Sequence, residues 1–173
     1  MLRPAYIYQS KLQEEYNKTI FNDKYKYYNF VNYWDYIIKL TESSWNDIEM
    51  VSIDKDDNVL GFFRANISRE SDKIQSLGII NFYDKNFVFS RDLYQFLVDL
   101  FDKYNFRKIE WTVVVGNPAE HMYDKVINKY GGRIVGIKEK GTKLIDGLYY
   151  DVKLYEIFKE DFDKARIKNT LND

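Results

Sequence analysis

The side chains able to move protons or grip a ligand gather in one stretch, Val113-Val114-Val115-Gly116-Asn117-Pro118-Ala119-Glu120-His121-Met122-Tyr123-Asp124-Lys125. Its short β-branched run, bounded by turn residues, reads as the buried end of a strand. Gly116-Asn117-Pro118 then turns the chain. Asn117 suits a helix cap, and Pro118 suits the first helical position, where a missing N–H costs nothing. The helix runs to about Lys129, stops at Gly131-Gly132 and carries a phenol, Tyr123, about two turns in. His121 is the only histidine, and imidazole is the side chain whose ordinary pKa lies near neutrality. It stands about 200° round the helix from Tyr123 and reads as a surface residue.

Other chemistries are closed by composition. With no cysteine there is no disulfide framework, no thiolate metal site and no cysteine nucleophile. One histidine leaves too few ligands for most zinc chemistry, so no metal is expected. Asp54-Lys55-Asp56-Asp57-Asn58 offers oxygens but lacks the glycine and distal glutamate of a calcium loop, and reads as a hairpin turn. The net charge of −1 provides no basic field for nucleic acid. The N-terminal residues lack a signal-peptide core, and no segment approaches the roughly 18 apolar residues of a membrane span. A cytoplasmic protein without a membrane partner is expected, as a single domain over residues 1–173 with a charged tail over 159–173.

These residues must be held by elements that the hydropathy pattern outlines. Pro4–Tyr8 reads as a strand, and Ser10 with Gln13 as the capping box of a helix fading near Asn22-Asp23. Tyr27–Leu40 is predicted helical, with Phe30, Tyr33, Trp34, Ile37 and Ile38 on one face. Met50–Ile53 and Val59–Phe63 form a hairpin; Val59–Ser68 and Ile74–Phe82 are strands joined by the polar turn Arg69–Lys73. Ser90–Tyr104 is the clearest helix, with Leu93, Phe96, Leu97, Leu100, Phe101 and Tyr104 at helical spacing. Strand Lys108–Val115, the helix after Asn117, and strands Arg133–Lys138 and Leu148–Phe158 complete the chain before a surface helix from Lys159.

The strand–Asn–helix–Tyr unit, with Asn117, Tyr123 and Lys125, resembles the C-terminal half of the GCN5-related N-acetyltransferases, with one residue fewer between Asn and Tyr than the usual N-x-x-A-x-x-x-Y-x-K. The element order β-αα-βββ-α-β-α-ββ is similar to that of the family over nearly the whole chain. The turn Asp146-Gly147 before Tyr150-Asp151 resembles the last hairpin of the branch that acetylates protein N-termini and small amines.

The resemblance implies an α/β fold. Its mixed, mostly antiparallel sheet of about seven strands splays between strands four and five and is flanked by about four helices. It implies transfer of the acetyl group of acetyl-CoA to a primary amine of a small molecule or peptide, by direct attack in a ternary complex, in a monomer or homodimer. The pantetheine arm would extend the sheet along Ile79, Ile80 and Asn81. The pyrophosphate would lie over Lys85, Asn86, Phe87, Val88, Phe89, Ser90 and Arg91, with Asn117 also touching the donor. Here the chain departs from the family's Gln/Arg-x-x-Gly-x-Gly/Ala loop: Lys85 takes a basic position while Asn86 and Val88 replace the glycines. Tyr123 would protonate the leaving thiolate, and Glu70 or Glu110 would serve as the amine's general base. The alternative is a non-catalytic binding domain of the same fold that has lost the glycine loop.

Overall fold

A computed structural model describes residues 1–20, 22–28, 37–41 and 45–170. Alternating and β-branched segments form the strands: β1 Leu2–Pro4, β2 Asp47–Ile53, β3 Val59–Ser68, β4 Lys73–Asn81, β5 Lys108–Val114, β6 Arg133–Lys143 and β7 Tyr149–Phe158. The helices are α1 Gln9–Asn17, α2 Phe87–Asp102, α3 Ala119–Tyr130 and α4 Lys159–Thr170. Among the described residues the strands join one sheet in the order β1-β2-β3-β4-β5-β7-β6. Every neighbouring pair is antiparallel except β4 and β5. Those two are parallel and linked through α2, because parallel neighbours need a crossover.

The parallel pairing holds only at Lys73–Lys108 and Ile74–Ile109. Beyond Ile74 the strands part, so among the described residues the side of β4 that faces β5 has no strand partner from residue 75 to 81. This is the expected splay.

One core lies between the sheet and α2, α3 and α4. Helix α2 buries Phe89, Leu93, Phe96, Leu97, Leu100 and Phe101, each stabilising by roughly 1.5–3 kcal/mol. Phe63 of β3 stacks on Phe89 and Phe96, with centroids 5.0 and 5.3 Å away. A second core, with Leu12, Tyr16, Val51, Phe62 and Ile80, lies under α1 on the other face.

Several boundaries differ from the sequence expectation. Residues 5–8 form a 3-10 turn, so the first strand ends at Pro4. Most of the predicted helix Tyr27–Leu40, including Phe30, Tyr33 and Trp34, lies outside the described residues. Helix α2 starts at Phe87 rather than Ser90, because Asn86 caps it. Helix α4 is more than a charged tail: Phe162 is wholly buried against Phe101 and Tyr130, at 4.8 and 5.4 Å between centroids. Asp54 Oδ1 accepts from the backbone N–H groups of Asp56 and Asn58 and Oδ2 from the Asn58 side-chain amide, so the expected hairpin turn engages both oxygens.

Candidate active site

Where β4 and β5 part, a cleft of about 720 Å³ opens. Leu77, Gly78, Ile79 and Asn81 of β4 line one wall, and Thr112 to Val114 of β5 the other. Asn117, Pro118, Ala119, Met122 and Tyr123 border it at the start of α3, and Tyr25, Tyr27 and Tyr28 border it from the N-terminal segment. Asp47, Arg64, Asn66 and Ser76 add further polar lining from the sheet.

The start of α3 lies one residue later than the sequence suggests: Pro118 is the cap position and the helix begins at Ala119, while Asn117 still satisfies an N–H of the first turn. Asn117 Oδ1 accepts from Ala119 N–H at 2.9 Å, and Glu120 accepts from Gly116 N–H at 3.0 Å, tying the turn to the helix. The helix ends at Gly131, whose φ of 77° is the left-handed conformation that glycine adopts without strain. Lys153 of β7 donates to Asp124 at 2.8 Å and to Glu120 at 3.0 Å, and Tyr155 donates to Asp124 at 2.8 Å. This network lowers the Asp124 pKa, chiefly through the Lys153 hydrogen bond, and raises that of Lys153 for the same reason.

Tyr123 therefore reaches the cleft from a helix that is clamped at its first turns. Its ring stands edge-on to Trp111 and Tyr155, with centroids 6.0 Å away in each case. Burial, with the nearby Tyr28 and Tyr155, pushes its phenol well above the usual tyrosine value. At neutral pH it is protonated.

The two carboxylates expected as bases do not line this cleft. Glu70 is exposed in the turn between β3 and β4. Glu110 lies near the closed end of the splay, hydrogen-bonded by Lys73 at 2.7 Å and paired with Lys108. Burial would raise its pKa, but hydrogen bonds from Lys108 and Lys73 leave it lowered. A carboxylate held by two ammonium groups is a poor base.

The carboxylate that the sequence reading missed is Asp47. It opens β2 opposite Asn66, which donates to it at 3.1 Å, and both line the cleft. Beside it, Glu49 faces Arg64 in the register and is held by its guanidinium. The signal was the alternation Asp47-Ile48-Glu49-Met50, a polar strand face whose first residues fall before the expected strand start at Met50.

Acetyl-CoA, the donor implied by the resemblance, meets this structure in two parts. The pantetheine arm fits: an open slot runs beside an edge of β4 that, among the described residues, has no strand partner past Ile74. Ile79 and Asn81 line it, whereas the Ile80 side chain is buried in the core under α1 and its backbone faces β3, so Ile80 does not contribute to the slot. The pyrophosphate does not fit the expected loop as it stands. Asn86 Oδ1 already accepts from Val88 N–H at 3.0 Å and Phe89 N–H at 3.1 Å. Ser90 Oγ turns back onto the Asn86 carbonyl, and Arg91 is paired with Asp92. Phe87 is 90% exposed, and Phe89 packs into the core. Val88 sits inside the helix, so the left-handed residue is Lys85, at φ 54°.

No protein-family model and no curated protein sequence matches the chain. Solved structures do. The manganese-bound spermidine/spermine N-acetyltransferase SpeG of Vibrio cholerae is 25% identical over 70% of each chain, with a TM-score of 0.60. A spermidine N-acetyltransferase of the same organism, in complex with CoA and spermine, superposes over 94% of this chain and 96% of its own. Its TM-score is 0.73 and its identity 21%. With the splayed sheet, these comparisons show that the chain has the fold of the GCN5-related N-acetyltransferases. Its structural neighbours are acyltransferases that act on amines.

Proposed function

We propose that the chain is an N-acetyltransferase that moves the acetyl group of acetyl-CoA to a primary amine of a small molecule or peptide, by direct attack in a ternary complex. The observation that carries this reading is the cleft between β4 and β5 with the protonated phenol of Tyr123 on its wall. The bound donor supplies an activated acetyl thioester. The chain's own residues align and protonate: the free edge of β4 holds an extended arm, and Tyr123 donates to the departing sulfur. Asp47 attracts the ammonium form of the acceptor and takes up its proton, directly or through water, while Asn66 holds it in place. The neighbours' polyamine substrates support a small-molecule acceptor.

Acetyl-CoA incubated with a panel of primary amines, spermidine among them, should release free thiol in proportion to acetylated amine. The non-catalytic alternative draws on the occupied amides of α2. It would be favoured if acetyl-CoA left the melting temperature unchanged and no amine released thiol.

A further inference from the structure

The first turn of α2 is closed by the chain's own side chain. An Asn86 oxygen occupies the Val88 and Phe89 amides, and the Asn81 side chain accepts from Tyr83 N–H at 3.3 Å. Three backbone donors flanking the loop are therefore spent on two asparagines. The loop residue that lines the cleft, Asp84, is a carboxylate; it would repel a diphosphate, and its Lys24 partner at 3.0 Å is already engaged. By contrast, among the described residues β4 has no strand partner beside the slot from residue 75 to 81, although the Asn81 backbone N–H meets the Tyr28 hydroxyl there.

From this disagreement between loop and slot we infer that the chain recognises its thioester donor by the pantetheine arm, and that the pyrophosphate and nucleotide add little. Its donor class is then S-acyl pantetheine, with or without the nucleotide. This rests on the reading of the cleft given above and adds the donor feature that is recognised. The physical reason is competition. An anion reaches the α2 amides only after Asn86 is displaced, and the cap it gives up offsets much of what the phosphate gains.

Titration calorimetry on the intact chain with acetyl-CoA and S-acetylpantetheine tests this. Dissociation constants within about ten-fold of each other are expected, a difference small beside that of a built diphosphate site. Acetyl-CoA binding more than ten-fold tighter overturns the inference. Should neither compound bind, the acetyltransferase reading itself fails, which is a different result from a large ratio. Asn86→Ala frees the two amides and should tighten acetyl-CoA by about five-fold while leaving S-acetylpantetheine unchanged. Asn86→Asp, which keeps the cap and adds a negative charge, should move the ratio the other way. Both ratios are taken within one variant, so a loss of stability does not affect them. An unchanged ratio in both variants shows that Asn86 does not withhold the amides, and overturns the inference.

Discussion

The Phe89 ring lies 2.2 Å from where a Cβ on Gly61 would stand. Helix α2 thus rests its first buried aromatic on the bare backbone of β3, and this contact places the helix start beside the cleft. The Ile80 carbonyl, 2.6 Å from the same point, leaves no other way out. Gly61→Ala should destabilise the protein by about 2 kcal/mol through overpacking. The measurement is the shift of the urea midpoint at constant slope.

Tyr123→Phe removes one hydroxyl and leaves the ring in contact with Trp111 and Tyr155. Stability should hardly change, while kcat falls by about 10²-fold, the lower end expected for a lost general acid because a thiolate is a tolerable leaving group. Donor affinity measured by calorimetry should stay constant, since the interaction forms in the transition state. Full activity in the variant would make Tyr123 a packing residue.

Asp47 and Glu110 separate by kinetics. Asp47→Asn should lower kcat/KM for the amine by about 10²-fold, with the protein still folded. Glu110→Gln should leave turnover nearly unchanged but lower stability by about 1 kcal/mol, because Lys73 and Lys108 lose a shared partner. Steady-state kinetics beside urea titration distinguishes the two, and the reverse pattern would restore Glu110 as the base.

Asp124 carries a pH signature. Its pKa is lowered in the folded state, first by the Lys153 hydrogen bond and also by that from Tyr155. A carboxylate depressed on folding stabilises the native state above its unfolded pKa of about 3.9, and the contribution is lost as pH falls through the lower folded value. Asp124→Asn should therefore reduce stability by about 1–2 kcal/mol at pH 7. The difference from the parent protein should shrink as the pH falls below 4, in melting curves taken across that range.

The parts of this protein that local periodicity encodes were legible in the chain. The apolar stripe of α2, the β3–β4 hairpin and the strand–turn–helix at 113–129 each bury a face defined by residues three, four or two apart. Tyr123 and Asn117 could be singled out because turn and helix chemistry fixes their spacing. What the sequence did not determine depends on partners far away in the chain. Glu110 alternates with Ile109 and Trp111, so the sequence allows either face. The packing of β5 between β4 and β7 turned it toward Lys73 and Lys108. Asp47 gained a place in the cleft only through its register with Asn66, 19 residues on. The fate of the α2 amides turned on where the helix begins. A start at Phe87 makes Asn86 a cap that spends the donors, whereas a start at Ser90 would have left them in a loop. A side-chain oxygen and a phosphate compete for the same N–H groups, and only the folded backbone settles which is near enough to take them.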